Sequence, residues 1–379
     1  MRTVSTQVPR LPLMKSLPVR PRQDRAAFTL VEIMVSLAVL TILLLISAQV
    51  IGQVQRTWSI SNSRVSQFKE ARTAFDILTR NLSQATLDTY IDYDANYLAT
   101  DGIQAPSRYE RRSYLNFVCG STTQLFGAAA NPTQLPGHAV FFQAPLGVTN
   151  QPSLAGLDRL LCVRGYFVQF SSDAAWVPGF IQQGGGYQPR YRYRLMEYCP
   201  PAEFNQVYNL TSQAAEGSEV KAWYTSALQT TAGSSGNQNN PLATTRPVAD
   251  NVVAIIISPR REMSSNDQGI EGSAARAFAP AYAFDSRTHP TLRHLLPPVV
   301  RIVLVAIDEA SSQRLSVPGS SDPPFSNPIK LVSAEQMGAE IESFVTNELQ
   351  PKRVNYRVFS ASVALRASKF SENQTASSP

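Results

Sequence analysis

From Phe28 to Ile51 the chain runs for 24 residues with a single ionisable side chain, Glu32. Coiled as an α-helix at ~1.5 Å per residue, that run reaches roughly 36 Å, more than the ~30 Å of a bilayer's hydrocarbon core. Everything before and after it must obey that crossing. Ahead of it, Arg2, Arg10, Lys15, Arg20, Arg22 and Arg25 against Asp24 account for +5 of the chain's net +6. A leader of that charge stays in the cytoplasm and the remainder crosses, which predicts a single-pass protein with its bulk outside. The rest of the chain carries about +1, so the basic character belongs to the leader. It gives no support to a nucleic-acid partner, which requires a basic face on the folded domain.

A cleaved secretory signal would have a shorter apolar region ending in an A-x-A-like site. Here the run ends Ile46-Ser-Ala-Gln-Val-Ile-Gly, with no such pair of small residues. A plain signal anchor explains the length and the charge asymmetry but not Glu32, since a carboxylate within a membrane helix costs roughly 2.5–3.5 kcal/mol and needs a partner.

The segment Ala27-Phe28-Thr29-Leu30-Val31-Glu32 resembles the cleavage and methylation motif of type IV prepilins. The resemblance covers roughly the first 60 residues after the leader. It implies that a membrane peptidase cuts between Ala27 and Phe28, that the new amine of Phe28 is methylated, and that Glu32 is the assembly glutamate. Thr29, Leu30 and Val31 complete the motif. The family usually has Gly before the cut, where this chain has Ala27; both are small. Cleavage creates a positive amine one helical turn from Glu32. In a filament of staggered helices, the Glu32 carboxylate of one subunit would pair with the Phe28 amine of its neighbour, an attraction strengthened where water is scarce. The implied partners are the prepilin peptidase, other pilin-like subunits and an inner-membrane assembly platform. The implied location is the inner membrane, with the head outside the cytoplasm and extraction into a filament to follow. Two further segments, Tyr191–Glu203 and Ala71–Leu87, are similar to a narrower prepilin-like group, the Verru_Chthon cassette protein C family.

No proline occurs from Phe28 to Ala105, and Val54, Trp58, Val65, Phe68, Ala71, Phe75, Leu78, Leu82 and Ala85 recur mostly three or four apart. That spacing predicts an amphipathic helix, residues 53–87, continuing the membrane helix, residues 28–52, with or without a break near Gly52. Residues 88–370 read as an antiparallel α+β head, and residues 371–379 as a tail. Strands are expected at Tyr114–Val118, Ala139–Gln143, Arg159–Phe170, Arg190–Tyr198, Asn251–Ser258, Val299–Ile307 and Arg353–Leu365. A helix is expected over Ala334–Leu349, with Ser333 and Gln336 as a capping box. Thr230–Pro247, Met263–Ala275 and Ala310–Asn327 read as polar loops.

Three cysteines, Cys119, Cys162 and Cys199, are disulfide candidates if the head meets an oxidising compartment; otherwise they are small buried residues. His289 and His294 flank Pro290, a poor spacing for shared metal ligation, and His138 is remote in sequence. Asp92-Tyr-Asp94-Ala-Asn96 opens like a calcium loop, but Tyr97 stands at the turn glycine and Ile103 at the bidentate acid. No nucleophile elbow, zinc-protease motif or P-loop is present. The expectation is a structural subunit of a type IV pilus, type II secretion or related filament, minor because its head is large, with no enzymatic activity and no cofactor. The competing expectation is a signal-anchored extracytoplasmic enzyme or glycan-binding protein.

Overall fold

The computed structural model describes residues 29–93, 109–154, 156–157, 159–174, 176–183, 186–215, 217–229, 244–260, 279–289, 292–317 and 320–368. Its contacts divide into two units, Met1–Ser61 and Asn62–Pro379.

In chain order the elements begin with α1 (Leu30–Leu82), β1 (Tyr90–Tyr93), β2 (Tyr109–Arg112), β3 (Val118–Ser121), α2 (Thr122–Phe126), β4 (His138–Pro145) and β5 (Leu161–Ser172). Next come α3 (Gly179–Gln182), β6 (Tyr191–Tyr198), α4 (Val207–Gln213), α5 (Ala222–Gln229), β7 (Thr245–Asp250), β8 (Val252–Arg260) and β9 (Phe284–Asp285). The chain continues through β10 (Val299–Ile307), α6 (Glu309–Leu315), α7 (Met337–Phe344), a π-turn over Val345–Leu349, and β11 (Tyr356–Ala364).

In the first unit, Leu30–Gln55 is the one stretch of the described residues long and apolar enough to cross a membrane, and all of its side chains are exposed. Such an apolar surface is not stable in water and needs an apolar surround. Helix α1 continues through Gly52 without interruption and ends at Leu82, five residues short of the expected Leu87. The physical reason lies in the following turn. Gln84 and Ala85 donate their N–H groups three residues back, to Asn81 and Leu82, and Thr86 N–H is taken by Gln143 O of β4 at 2.9 Å.

In the second unit, six strands in the order β7-β6-β5-β4-β3-β9 form one antiparallel sheet, and β11-β10-β8 form another. One core joins Ala71, Ala74, Phe75, Leu78 and Leu82 of α1 to Phe142, Tyr166 and Leu195 of the larger sheet and to the buried runs of β8 and β10. The predicted helical stripe therefore faces the core wherever the head end of α1 is described: Phe75 meets Phe359 of β11 with ring centroids 6.0 Å apart. The other face of the larger sheet is covered by α2, α4 and α5 through Phe126, Val207, Trp223 and Tyr224. Gly165 permits a close approach there, because a Cβ at that position would stand 2.3 Å from the Phe141 ring.

The expected strands on β4, β5, β6, β8, β10 and β11 are present with ends shifted by up to three residues. The strand expected at Tyr114–Val118 begins at Val118, because Asp88 Oδ1 accepts the N–H groups of Tyr114 and Leu115 and holds them in a turn. Thr245–Asp250, read within and beyond a loop, forms β7, and α6 occupies the start of the expected loop 310–327. The capping box expected at Ser333 and Gln336 is not formed. Helix α7 starts later, at Met337, and Gln336 makes no side-chain cap. Instead Glu340 reaches back, its Oε1 accepting the N–H groups of Val332 at 2.6 Å and Ser333 at 2.9 Å. The capping box that does form is Ser121 with Gln124, at the start of α2.

Candidate functional site

Thr29 and Glu32 are the described end of the expected processing motif; Ala27 and Phe28 lie outside the described residues. Thr29 Oγ1 accepts the N–H of Glu32 at 3.3 Å, and Thr29 O accepts the N–H groups of Glu32 at 3.0 Å and Ile33 at 3.2 Å. Thr29 is thus the residue that starts α1, and Glu32 stands in the third helical position. The T-x-x-E spacing is that of a capping box, a signal legible in the sequence that the motif reading passed over. Glu32 also lies in the first turn, where the unpaired N–H groups favour a negative charge. Two hydroxyls in the apolar stretch are satisfied locally: Ser36 Oγ donates to Glu32 O at 2.7 Å and Thr41 Oγ1 to Ala38 O at 2.8 Å. Glu32 is exposed on this apolar helix. Leu30 and Val31 are exposed beside it, 74% and 68% accessible.

In the head, all three cysteines are unpaired, Cys119 and Cys162 buried and Cys199 half-buried, and the Cys162 thiol is close enough to Cys199 to act on it. Cys162 Sγ lies against the backbone of Val148 and Leu160. Cys199 belongs to a polar cluster on β5 and β6. Asn81 donates to Tyr166 Oη at 2.7 Å, Tyr166 Oη donates to Glu197 at 2.6 Å, and Arg164 pairs with Glu197 and donates to Cys199 Sγ. Burial pushes the Cys199 thiol up to about 11, the Arg164 charge only partly opposing it. A thiol raised that far is protonated at neutral pH.

The other candidates are likewise occupied. His138 is fully buried and held neutral, its pKa pushed down to about 3 by burial, with Nδ1 accepting Ile257 N–H at 3.0 Å. His289 Nδ1 accepts the N–H of Leu292, and His294 is buried on a separate turn. Asp92 sits on β1 with the Arg112 guanidinium 3.7 Å away; Asp94 and Asn96 lie outside the described residues. Among the described residues no three His, Cys, Asp or Glu side chains come together as metal ligands. A groove of about 630 Å³ beside α7 carries Glu340 and Glu348. Both carboxylates are engaged, Glu340 by Tyr282 Oη and two backbone N–H groups, Glu348 by Asn327 and Lys352.

Residues 22–48 match the family model described as the prokaryotic N-terminal methylation motif. The chain therefore carries a type IV prepilin-like N-terminus, the substrate of a prepilin peptidase, on a single apolar helix fit for membrane anchoring. The match does not reach the head segments that resemble the narrower cassette-protein group. No curated protein and no solved structure matches the chain.

Proposed function

We propose that this protein is a minor pilin-like subunit of a type IV pilus, type II secretion or related filament, a structural component and not an enzyme. The observation that carries the proposal is the matched motif on a helix whose first turn is set by Thr29 and presents an exposed Glu32. In this reading the peptidase cuts between Ala27 and Phe28, Phe28 is methylated, and Glu32 pairs with the Phe28 amine of a neighbouring subunit. The inner-membrane platform receives the subunit, the head lies outside the cytoplasm, and a cytoplasmic ATPase supplied by the machine drives extraction. The size of the head supports a minor role, since bulk is hard to accommodate at every filament position.

The test is the mass of the N-terminal peptide from cells with and without their prepilin peptidase. A peptide beginning at methylated Phe28 that disappears without the peptidase is the expected result. A leader that stays attached in both cell types would overturn the reading and return the search to an anchored enzyme or glycan-binding head.

A further inference from the structure

The edges of the six-stranded and three-stranded sheets of the head are not treated alike. A strand edge is a row of unpaired backbone groups, and proteins guard it with prolines, charges, irregularities, shortness or a covering segment. At one end of the larger sheet, β7 carries Pro247, Arg246 and Asp250, its register shifts beside Met196, and Asp250 N–H is capped by Glu70 of α1 at 2.9 Å. At the other end, β9 is two residues long. In the smaller sheet, the outer side of β8 is covered: Ile257 N–H goes to His138, and Gly137 (φ +80°) packs so closely that a Cβ would stand 2.5 Å from Ile255 O.

Among the described residues, strand β11 has few of these guards and no covering segment. It pairs with β10 over nine consecutive residues without a register shift, and it contains no proline and no acid or lysine. Its one charge, Arg357, is laid over the Phe359 ring, 5.4 Å from the centroid. The inward bonds fix which groups are free. Asp308 N–H donates to Asn355 O and Leu365 N–H to Pro298 O, so the odd-numbered residues bond to β10. By the alternation of an antiparallel ladder, the N–H and C=O groups of Tyr356, Val358, Ser360, Ser362 and Ala364 point away from the sheet. All five residues are exposed.

We infer that the outer edge of β11 receives an extended, uncharged segment of another pilin-like subunit, which adds a strand to the three-stranded sheet. Only an extended backbone matches alternating donors and acceptors spaced along nine residues. The outward side chains are neutral and taper from Tyr356 and Val358 to Ser362 and Ala364. They therefore favour a partner strand whose larger residues lie against the Ser360–Ala364 end. The inference rests on the pilin-like reading for the identity of the partner.

The test uses the full-length chain in its own cells, with incorporation into sheared filaments as the readout. Ser360→Pro removes one outward N–H and leaves the β10 ladder intact. It should leave membrane level and head melting unchanged and cut incorporation at least roughly tenfold, the equivalent of about 1.4 kcal/mol. Ser362→Lys, which alters no backbone group, should do the same. A photo-crosslinker at position 360 should yield an adduct with a different pilin-like subunit. Wild-type incorporation of both variants overturns the inference, as does an adduct between two copies of this chain. If the wild-type chain itself never enters a filament, the pilin-like reading fails first, and the two failures are told apart.

Discussion

Arg192 of β6 and Glu309 at the start of α6 meet through two bonds, 2.5 and 2.6 Å, although 117 residues separate them. The Arg192 side chain is only 8% exposed, and Asn251, held at φ +63°, donates a further bond to the same carboxylate at 2.8 Å. The pair ties the larger sheet to the end of the smaller one. Its neighbours hold the Glu309 carboxyl below the usual range: burial alone would raise it, and the bonds from Arg192, Asn251 and Gln313 outweigh that.

Glu309→Ala should destabilise the head by about 3 kcal/mol, because it strands a nearly buried guanidinium with only the more distant Asp250 as a counter-charge. Urea unfolding of the variant beside the wild type measures this. A cost below about 0.5 kcal/mol would mean the pair behaves as a solvated surface contact.

Thr29→Val should fray the first turn of α1 at a cost of about 1 kcal/mol while leaving the apolar run intact. Faster amide exchange at Glu32 and Ile33 in detergent is the expected signal. Thr29→Ser keeps the acceptor oxygen and should restore slow exchange.

Glu32→Ala should be inserted and cleaved normally, yet fail to enter filaments. Normal insertion is expected because the substitution only removes a charge from the apolar helix. Normal incorporation of the variant would show that Glu32 is no assembly contact.

Two buried groups give the head opposing pH responses. Burial raises Asp285 to about 6, against the bonds it accepts from Arg287 N–H and Asn116. A raised acid contributes stability below its ordinary range and loses it as pH rises through about 6. His138 is the reverse: its stability is present above about 6.5 and is lost as pH falls towards about 3. Asp285→Asn should therefore remove about 1–2 kcal/mol of stabilisation that protonation of Asp285 contributes between pH 7 and pH 4. His138→Asn, whose oxygen can still accept Ile257 N–H, should flatten the acid-side loss. Melting curves across pH for wild type and both variants separate the two. Identical pH slopes in all three proteins would sink the assignment.

The strands with continuous apolar runs were the most legible part of the head. Val252–Ile257 and Ile302–Ile307 are buried on both faces, and such runs admit few other readings. β7 was obscured by its own protection, since Pro247 and its charged neighbours look like loop in a one-dimensional reading. Helix α7 misled because its cap comes from Glu340, inside the helix, reaching back to Val332 and Ser333, while Ser333 offers the better local signal. At the N-terminus the motif named Glu32 directly, but the service Thr29 gives to the helix needed the backbone geometry. The Arg192–Glu309 tie and the bare edge of β11 were out of reach, because both depend on which strands become neighbours.

The three free thiols carry a consequence for how the head is held. Cys119 is wholly buried and burial raises its thiol, as it does that of Cys199, which keeps both protonated. With the thiols unpaired the head is held by packing alone, and millimolar reductant should leave its melting temperature where it was.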